Sequence, residues 1–187
     1  SYNAAMETKY EQSFCDNLLD PLNLRSLSPE LFKTCISGVN SRIQNYKNYY
    51  NKDGKSFLHL LVEHSDEPLL IDLYLGALDE SEIARALEAT DANNFKPIHS
   101  DSKFASNPAI LSHLIGWGAD INDALPNGIS SLKLKRRNWG KRPIHMIAER
   151  DDDDSYRVLL RALSHDAEPN AQDERGNTPL HVLLAKD

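Results

Sequence analysis

The chain has 187 residues, a formal charge of −7, 40% apolar residues and 26% charged residues. That length holds one domain with a real core or a small array of repeats, and the acidic balance works against a whole-surface affinity for nucleic acid or acidic lipid. No apolar run approaches the roughly 18 residues of a membrane span, no secretory leader is visible, and two cysteines, Cys15 and Cys35, do not make a disulfide framework, so a reducing, intracellular compartment is expected.

In chain order, residues 1–5 ahead of Met6 read as a cloning scar, in which case any native leader would have been trimmed away. Residues 10–19 and 29–36 read as amphipathic helices, the second capped by Ser28 with Pro29 at its first position. Residues 41–50 read as a third helix. The preferred account of residues 1–50 is a helical cap on the remainder of the chain; an independent small domain stays open but would have little core.

From residue 51 one pattern recurs four times: a turn-forming stretch, a small or proline-containing step, an apolar residue and a histidine. The copies read Asn-Lys-Asp-Gly-Lys-Ser-Phe-Leu-His at 51–59, Asp-Ala-Asn-Asn-Phe-Lys-Pro-Ile-His at 91–99, Arg-Asn-Trp-Gly-Lys-Arg-Pro-Ile-His at 137–145 and Asp-Glu-Arg-Gly-Asn-Thr-Pro-Leu-His at 173–181. The Asp, Asn and Gly positions allow a tight, partly left-handed turn. Proline then fits the first helical turn, where its missing N–H costs nothing. Gly118-Ala119-Asp120-Ile121-Asn122 ends one apolar helical stretch, and His165 to Asn170 is a degraded version of it.

These residues resemble the ankyrin repeat, most closely at Thr178-Pro179-Leu180-His181, and the resemblance covers residues 51–187. It implies an all-α solenoid of stacked helix pairs with projecting turns, divided at about 51–90, 91–136, 137–172 and an incomplete 173–187. It also implies that His59, His99, His145 and His181 bridge backbone groups of adjacent turns. Ankyrin units repeat at about 33 residues, whereas these histidines lie 40, 46 and 36 positions apart. The excess falls in a helix added at 79–90, an insertion at 123–136 ahead of the third turn, and a longer loop at 151–154. Ser100-Asp101-Ser102 stands where the family usually has Leu-Ala-Ala, so a short or distorted helix is expected there. The chain stops at Asp187 inside a first helix, leaving Leu180, Leu183 and Leu184 uncovered, which reads as a truncated fragment.

Enzymatic constellations are absent from the sequence: no Gly-rich phosphate loop, no zinc-spaced Cys–His cluster, no nucleophile elbow. Neither cofactor nor metal is expected, and the acidic run Asp151 to Asp154 lacks the alternation of a calcium loop and reads as a solvated loop capping a helix near Ser155. The sharpest anomaly is basic. Lys133, Lys135, Arg136, Arg137, Lys141 and Arg142 fall within ten residues, with Trp139 among them. Such a loop grips an acidic protein segment, or nucleic acid or anionic lipid as alternatives.

The resemblance implies protein recognition on the concave surface of turn tips and exposed first-helix faces. Carried onto this chain, that surface holds Phe95, Phe104, Asn138, Trp139, Lys141, Glu149, Arg150 and Arg175, with Phe95, Phe104 and Trp139 as exposed aromatics. Trp139 and Arg150 are expected to carry most of the affinity and neither to support the core. Leu114, Asp120 and Asn122 resemble the pattern of ankyrin asparagines hydroxylated by a host enzyme; the competing reading of Asn122 is a repeat-end side chain bonding the turn backbone. The inserted helices loosely resemble the ankyrin effectors that intracellular bacteria deliver into host cells. The alternative function is the targeting arm of a larger host-modifying enzyme.

Overall fold

The computed structural model describes residues 2–127 and 136–186, the side chain of Tyr2 excepted. Within them the chain is all-α, with twelve α-helices and, in place of strands, one isolated antiparallel bridge between Tyr50 and Ser56. No helix among these residues is long and apolar enough to cross a membrane.

Four helices come first: α1 (Tyr2–Asp16), α2 (Pro21–Arg25), α3 (Pro29–Ile36) and α4 (Ile43–Lys47). The Asp20 side chain accepts from the Leu22 N–H ahead of α2, and Ser28 accepts from the Leu31 N–H ahead of α3. The boundaries of α3 agree with the sequence, α1 starts well before residue 10, and α2 is too short to announce itself by periodicity. These helices share one core with the next pair, α5 (Phe57–His64) and α6 (Leu69–Gly76). Phe57 stacks on Tyr46 at 4.8 Å and meets Tyr74 edge-on at 4.8 Å. Burial pushes both tyrosine hydroxyls far above their usual pKa. The cysteines correct the sequence reading: Cys15 at the end of α1 and Cys35 in α3 are joined in a disulfide, with Cα atoms 5.3 Å apart. Only the packing of α1 on α3 brings these positions together, so the expected reducing compartment loses its premise.

Next come α7 (Glu80–Glu88), α8 (Pro97–Phe104), α9 (Pro108–Gly116), α10 (Pro143–Ala148), α11 (Ser155–Ser164) and α12 (Pro179–Leu184). Helix α5 packs on α8, α8 on α10 and α10 on α12, forming one row; α6 packs on α9 and α9 on α11, forming a second. The added helix α7 packs on α8, and its buried Leu87 joins the core that α5, α6 and α9 share, with Ile83 and Ala86 half-buried beside it and Ala84 exposed.

The histidines tie the first row together. In each of the four units Nδ1 accepts the backbone N–H three residues earlier, from Ser56, Lys96, Arg142 and Thr178, at 3.0–3.1 Å. Nδ1 is therefore unprotonated and Nε2 carries the hydrogen. His59 Nε2 donates to the Phe95 carbonyl at 2.7 Å, His99 to the Asp123 carbonyl at 2.9 Å, and His145 to the Ala171 and Asn177 carbonyls at 2.9 Å. Each bond reaches into the following turn. His181, in the last unit, is exposed and bonds only within its own unit.

The turns repeat as well. Asn51, Asp91 and Asp173 each use Oδ1 to accept two N–H groups of their own turn. The third unit departs from this register. Asn51, Asp91 and Asp173 donate their N–H to the carbonyls of Lys55, Phe95 and Asn177; in the third unit the donor to Lys141 is Leu125, at 2.8 Å, and not Arg137. The insertion therefore opens inside the turn, after Leu125, rather than ahead of it. Gly140 has φ 71° and approaches the next turn so closely that a Cβ would lie 2.8 Å from the Glu174 nitrogen.

Residues 100–102 contradict the expectation of a distorted helix. Helix α8 is regular and eight residues long, as α5 is. Ser100, Asp101 and Ser102 are fully buried, and Ser100 Oγ and both Asp101 carboxyl oxygens have no hydrogen-bond partner. Burial pushes the Asp101 carboxyl well above its usual pKa, against a smaller opposing pull from Arg150.

These buried groups set the expected response of the fold to mutation and pH. Replacing Asp101 by Ala is expected to stabilise the fold by about 1–3 kcal/mol at neutral pH, the usual cost of an unsatisfied buried polar group, whereas Asp101→Asn brings no such gain. The folded state holds the Asp101 proton to higher pH than the unfolded chain does. Its contribution is thus lost as pH rises above about 3.9, and the advantage of Ala grows from pH 4 to pH 7 in urea titrations. Burial likewise holds His59 and His99 below the usual histidine range. Around and below about pH 6.5 the unfolded chain binds more protons than the folded one, so their contribution is present above that pH and lost as pH falls. His59→Ala is expected to cost at least about 2 kcal/mol by leaving a carbonyl and an N–H unpaired, and His181→Ala under about 1 kcal/mol; thermal denaturation of the two variants checks the contrast.

Candidate functional site

The turns and the adjoining side of the first-row helices make one face, and a single contact recurs along it. In the first three units the residue four before the motif histidine meets the residue four after it. In the first unit Lys55 Nζ bonds both carboxyl oxygens of Glu63 at 2.8 Å. In the third, Lys141 pairs with Glu149 in the same way. The second unit has Phe95 and Lys103 instead, and the Lys103 ammonium sits 5.4 Å from the Phe95 ring centroid and 5.3 Å from that of Phe104. Each contact braces a turn against its own helix.

Two depressions open on this face. A groove of about 610 Å³ is lined by Leu19, Pro21 and Arg25 of the N-terminal helices, Lys55 and Glu63 of the first unit, and Phe104 of the second, among others. Phe104 is 47% exposed there, with Lys55 Nζ 5.5 Å from its ring centroid. His64 lies at its edge, held below the usual histidine range by burial first and then by Arg25 and Lys55. The second depression, about 210 Å³, brings Arg137 and Arg175 together with Lys141, Glu149 and Asn177.

The structure redistributes the residues expected on this face. Phe104 and Arg175 are exposed, Asn138 is half-buried at the end of a 3-10 turn formed by Arg136–Asn138, and Arg137 is exposed. Phe95 is a correction: it is 4% exposed and packs with Leu125 and Met146, because the chain at Leu125 covers its turn. Trp139 also departs from the expected free turn tip; its ring is half-buried against that cluster, with the Arg136 guanidinium 5.9 Å above it. Lys141 is 7% exposed and occupied by Glu149.

Arg150 supports the framework, contrary to expectation. Its guanidinium donates to the Ser102 and Ala105 carbonyls at 3.1 and 2.7 Å and to Asp152 at 2.6 and 2.8 Å. It joins the end of α8 to the loop after α10, and its hydrogen bonds hold Asp152 below the usual carboxylate range. The acidic loop 151–154 thus anchors an arginine; Asp154 makes no side-chain cap to α11, while Ser155 bonds the Asp152 carbonyl. Asn122 also has framework bonds, accepting from the Glu168 N–H at 2.9 Å and donating to the Asp166 carbonyl at 3.1 Å. Arg142 precedes α10 at its N-cap. Lys133 and Lys135 lie outside the described residues.

Sequence reasoning missed Arg25, Leu19 and Pro21 as part of the face. They arrive on the short loop and helix before α3, and only their packing on α5 places them at the groove. No family model matches the chain.

Arg150→Ala is expected to cost about 1.5–3 kcal/mol, as hydrogen bonds from a charged group do, and Arg175→Ala to stay within about 0.5 kcal/mol. Chemical denaturation of the two variants side by side tests this division between framework and free surface.

Proposed function

We propose that the chain is a short ankyrin-type solenoid that recognises a partner protein through the concave surface made by its turns and first-row helices. The reading is supported by the four turn–Pro–His units, by the histidines that reach from one turn into the next, and by the two stacked helix rows. The single observation that carries the recognition role is the 610 Å³ groove with a half-exposed phenylalanine, Phe104, on its surface. Large exposed aromatics beside charged groups are what binding hot spots are made from. The residues assigned to contact the partner are Phe104, Asn138, Trp139 and Arg175, with Arg136 and Arg137 from the basic segment. Phe95, Lys141, Glu149 and Arg150 hold the surface in shape. The partner offers an acidic segment, since the exposed cations of this face outnumber the carboxylates not already engaged.

The test is affinity capture from an animal-cell lysate with the parent protein, Phe104→Ala and Arg157→Ala, the last on the exposed side of α11 in the other row. The expected result is a stoichiometric partner retained by the parent and by Arg157→Ala and lost by Phe104→Ala. A partner indifferent to Phe104→Ala, or none at stoichiometric level, contradicts the assignment.

A further inference from the structure

The last unit repeats the histidine motif with one bond missing. In the first three units the ring donates through Nε2 to main-chain carbonyls of the turn that follows: Phe95, then Asp123, then Ala171 and Asn177. His181 holds its ring in the same way, Nδ1 accepting the Thr178 N–H at 3.1 Å, but its Nε2 has no acceptor among the described residues. The ring is exposed and lines the depression of about 210 Å³.

Charge in that depression is unevenly matched. Its lining has Arg137, Lys141 and Arg175 against Glu149 and Asp173. Glu149 neutralises Lys141. Asp173 is buried, and its Oδ1 accepts the backbone N–H groups of Arg175 and Asn177 at 2.9 Å. The guanidinium groups of Arg137 and Arg175 are exposed and make no hydrogen bond or ion pair among the described residues. Three donors from different segments therefore line one depression without an acceptor: two permanently charged forks and one ring N–H.

We infer that this depression takes an acidic stretch of the partner protein, with side-chain carboxylates on Arg137 and Arg175 and a main-chain carbonyl of the same stretch on His181 Nε2–H. The inference rests on the proposed recognition role and adds where the acidic segment sits and how its backbone is read. A guanidinium fork matches the two oxygens of a carboxylate. The third donor has only main-chain carbonyls as its acceptors in the three preceding units, and a polypeptide offers those where a phosphodiester chain does not. The chain's charge of −7 also repels a polyphosphate at range.

The test presents phage-displayed random dodecapeptides to the intact chain. Enriched peptides are then measured by fluorescence anisotropy against Arg175→Glu, His181→Ala, Phe104→Ala and Arg157→Glu, the last on the exposed side of α11 in the other row. The expected result is enrichment of peptides rich in Asp and Glu. Their affinity falls about tenfold or more in Arg175→Glu, as loss and reversal of a paired charge does, and about threefold or more in His181→Ala, the loss of one hydrogen bond. It is unchanged in Arg157→Glu. Peptides that lose affinity in Phe104→Ala but not in Arg175→Glu overturn this placement and leave concave-face recognition standing. Neutral or basic peptides overturn the acidic class. Self-association of the chain that Arg175→Glu abolishes in analytical ultracentrifugation assigns the depression to a second copy and overturns the inference. Indifference to all three face variants, or no enrichment, counts against the inference and the recognition surface together. Circular dichroism of each variant separates lost binding from lost fold.

Discussion

The histidine bridge is the bond on which the rest of the stack depends. One ring satisfies two backbone groups in different units: Nδ1 takes the N–H that opens its own helix, and Nε2–H reaches a carbonyl of the following turn. The pair of bonds does not survive protonation, because a ring protonated at both nitrogens cannot accept. The site is also nearly dry, so an unpaired group there is costly. With the bridge in place, the turn, the helix start and the neighbouring unit have one common geometry. Everything else on the turn face inherits its position from that geometry, including the braces between residues four before and four after the first three histidines.

This dependence explains why some exposed-looking residues are committed to structure. Arg150 follows its histidine by five positions, as Phe104 follows His99, and sequence register alone puts both on the same face. Phe104 stays half-exposed with the Lys55 and Lys103 ammonium groups beside its ring, while Arg150 finds two carbonyls at the end of α8 and a carboxylate in its own loop. Asp101 shows the opposite tension. It is fully buried on a helix packed between α5 and α10, and the regular helix holds it there without a hydrogen-bond partner. The same helix carries Phe104 to the groove.

What could be read from the sequence was local in origin. Turn glycines, the proline at the helix start and the histidine beyond it obey rules spanning a few residues, and α3 with its Ser28 cap obeys similar ones. The all-helical class, the added α7 and the uncovered leucines of α12 came from those local rules. What escaped depended on contacts between distant segments. Phe95 is buried by Leu125, which takes a turn position that the motif alignment gave to Arg137. Cys15 and Cys35 meet only because two helices cross there. Arg25 belongs to the groove through the packing of a five-residue helix that carries almost no periodic signal. The candidate site was therefore legible as a face, and the division of that face into free and committed side chains was not.

The most direct test of the account is the tautomeric state of His59, His99 and His145, measured by long-range proton–nitrogen correlation NMR on the nitrogen-15-labelled protein at neutral pH. The bridges require Nδ1 to be the unprotonated, accepting nitrogen and Nε2 to carry a slowly exchanging proton in all three rings. Protonation at Nδ1 in these rings, or free interconversion of the two tautomers, would contradict the account.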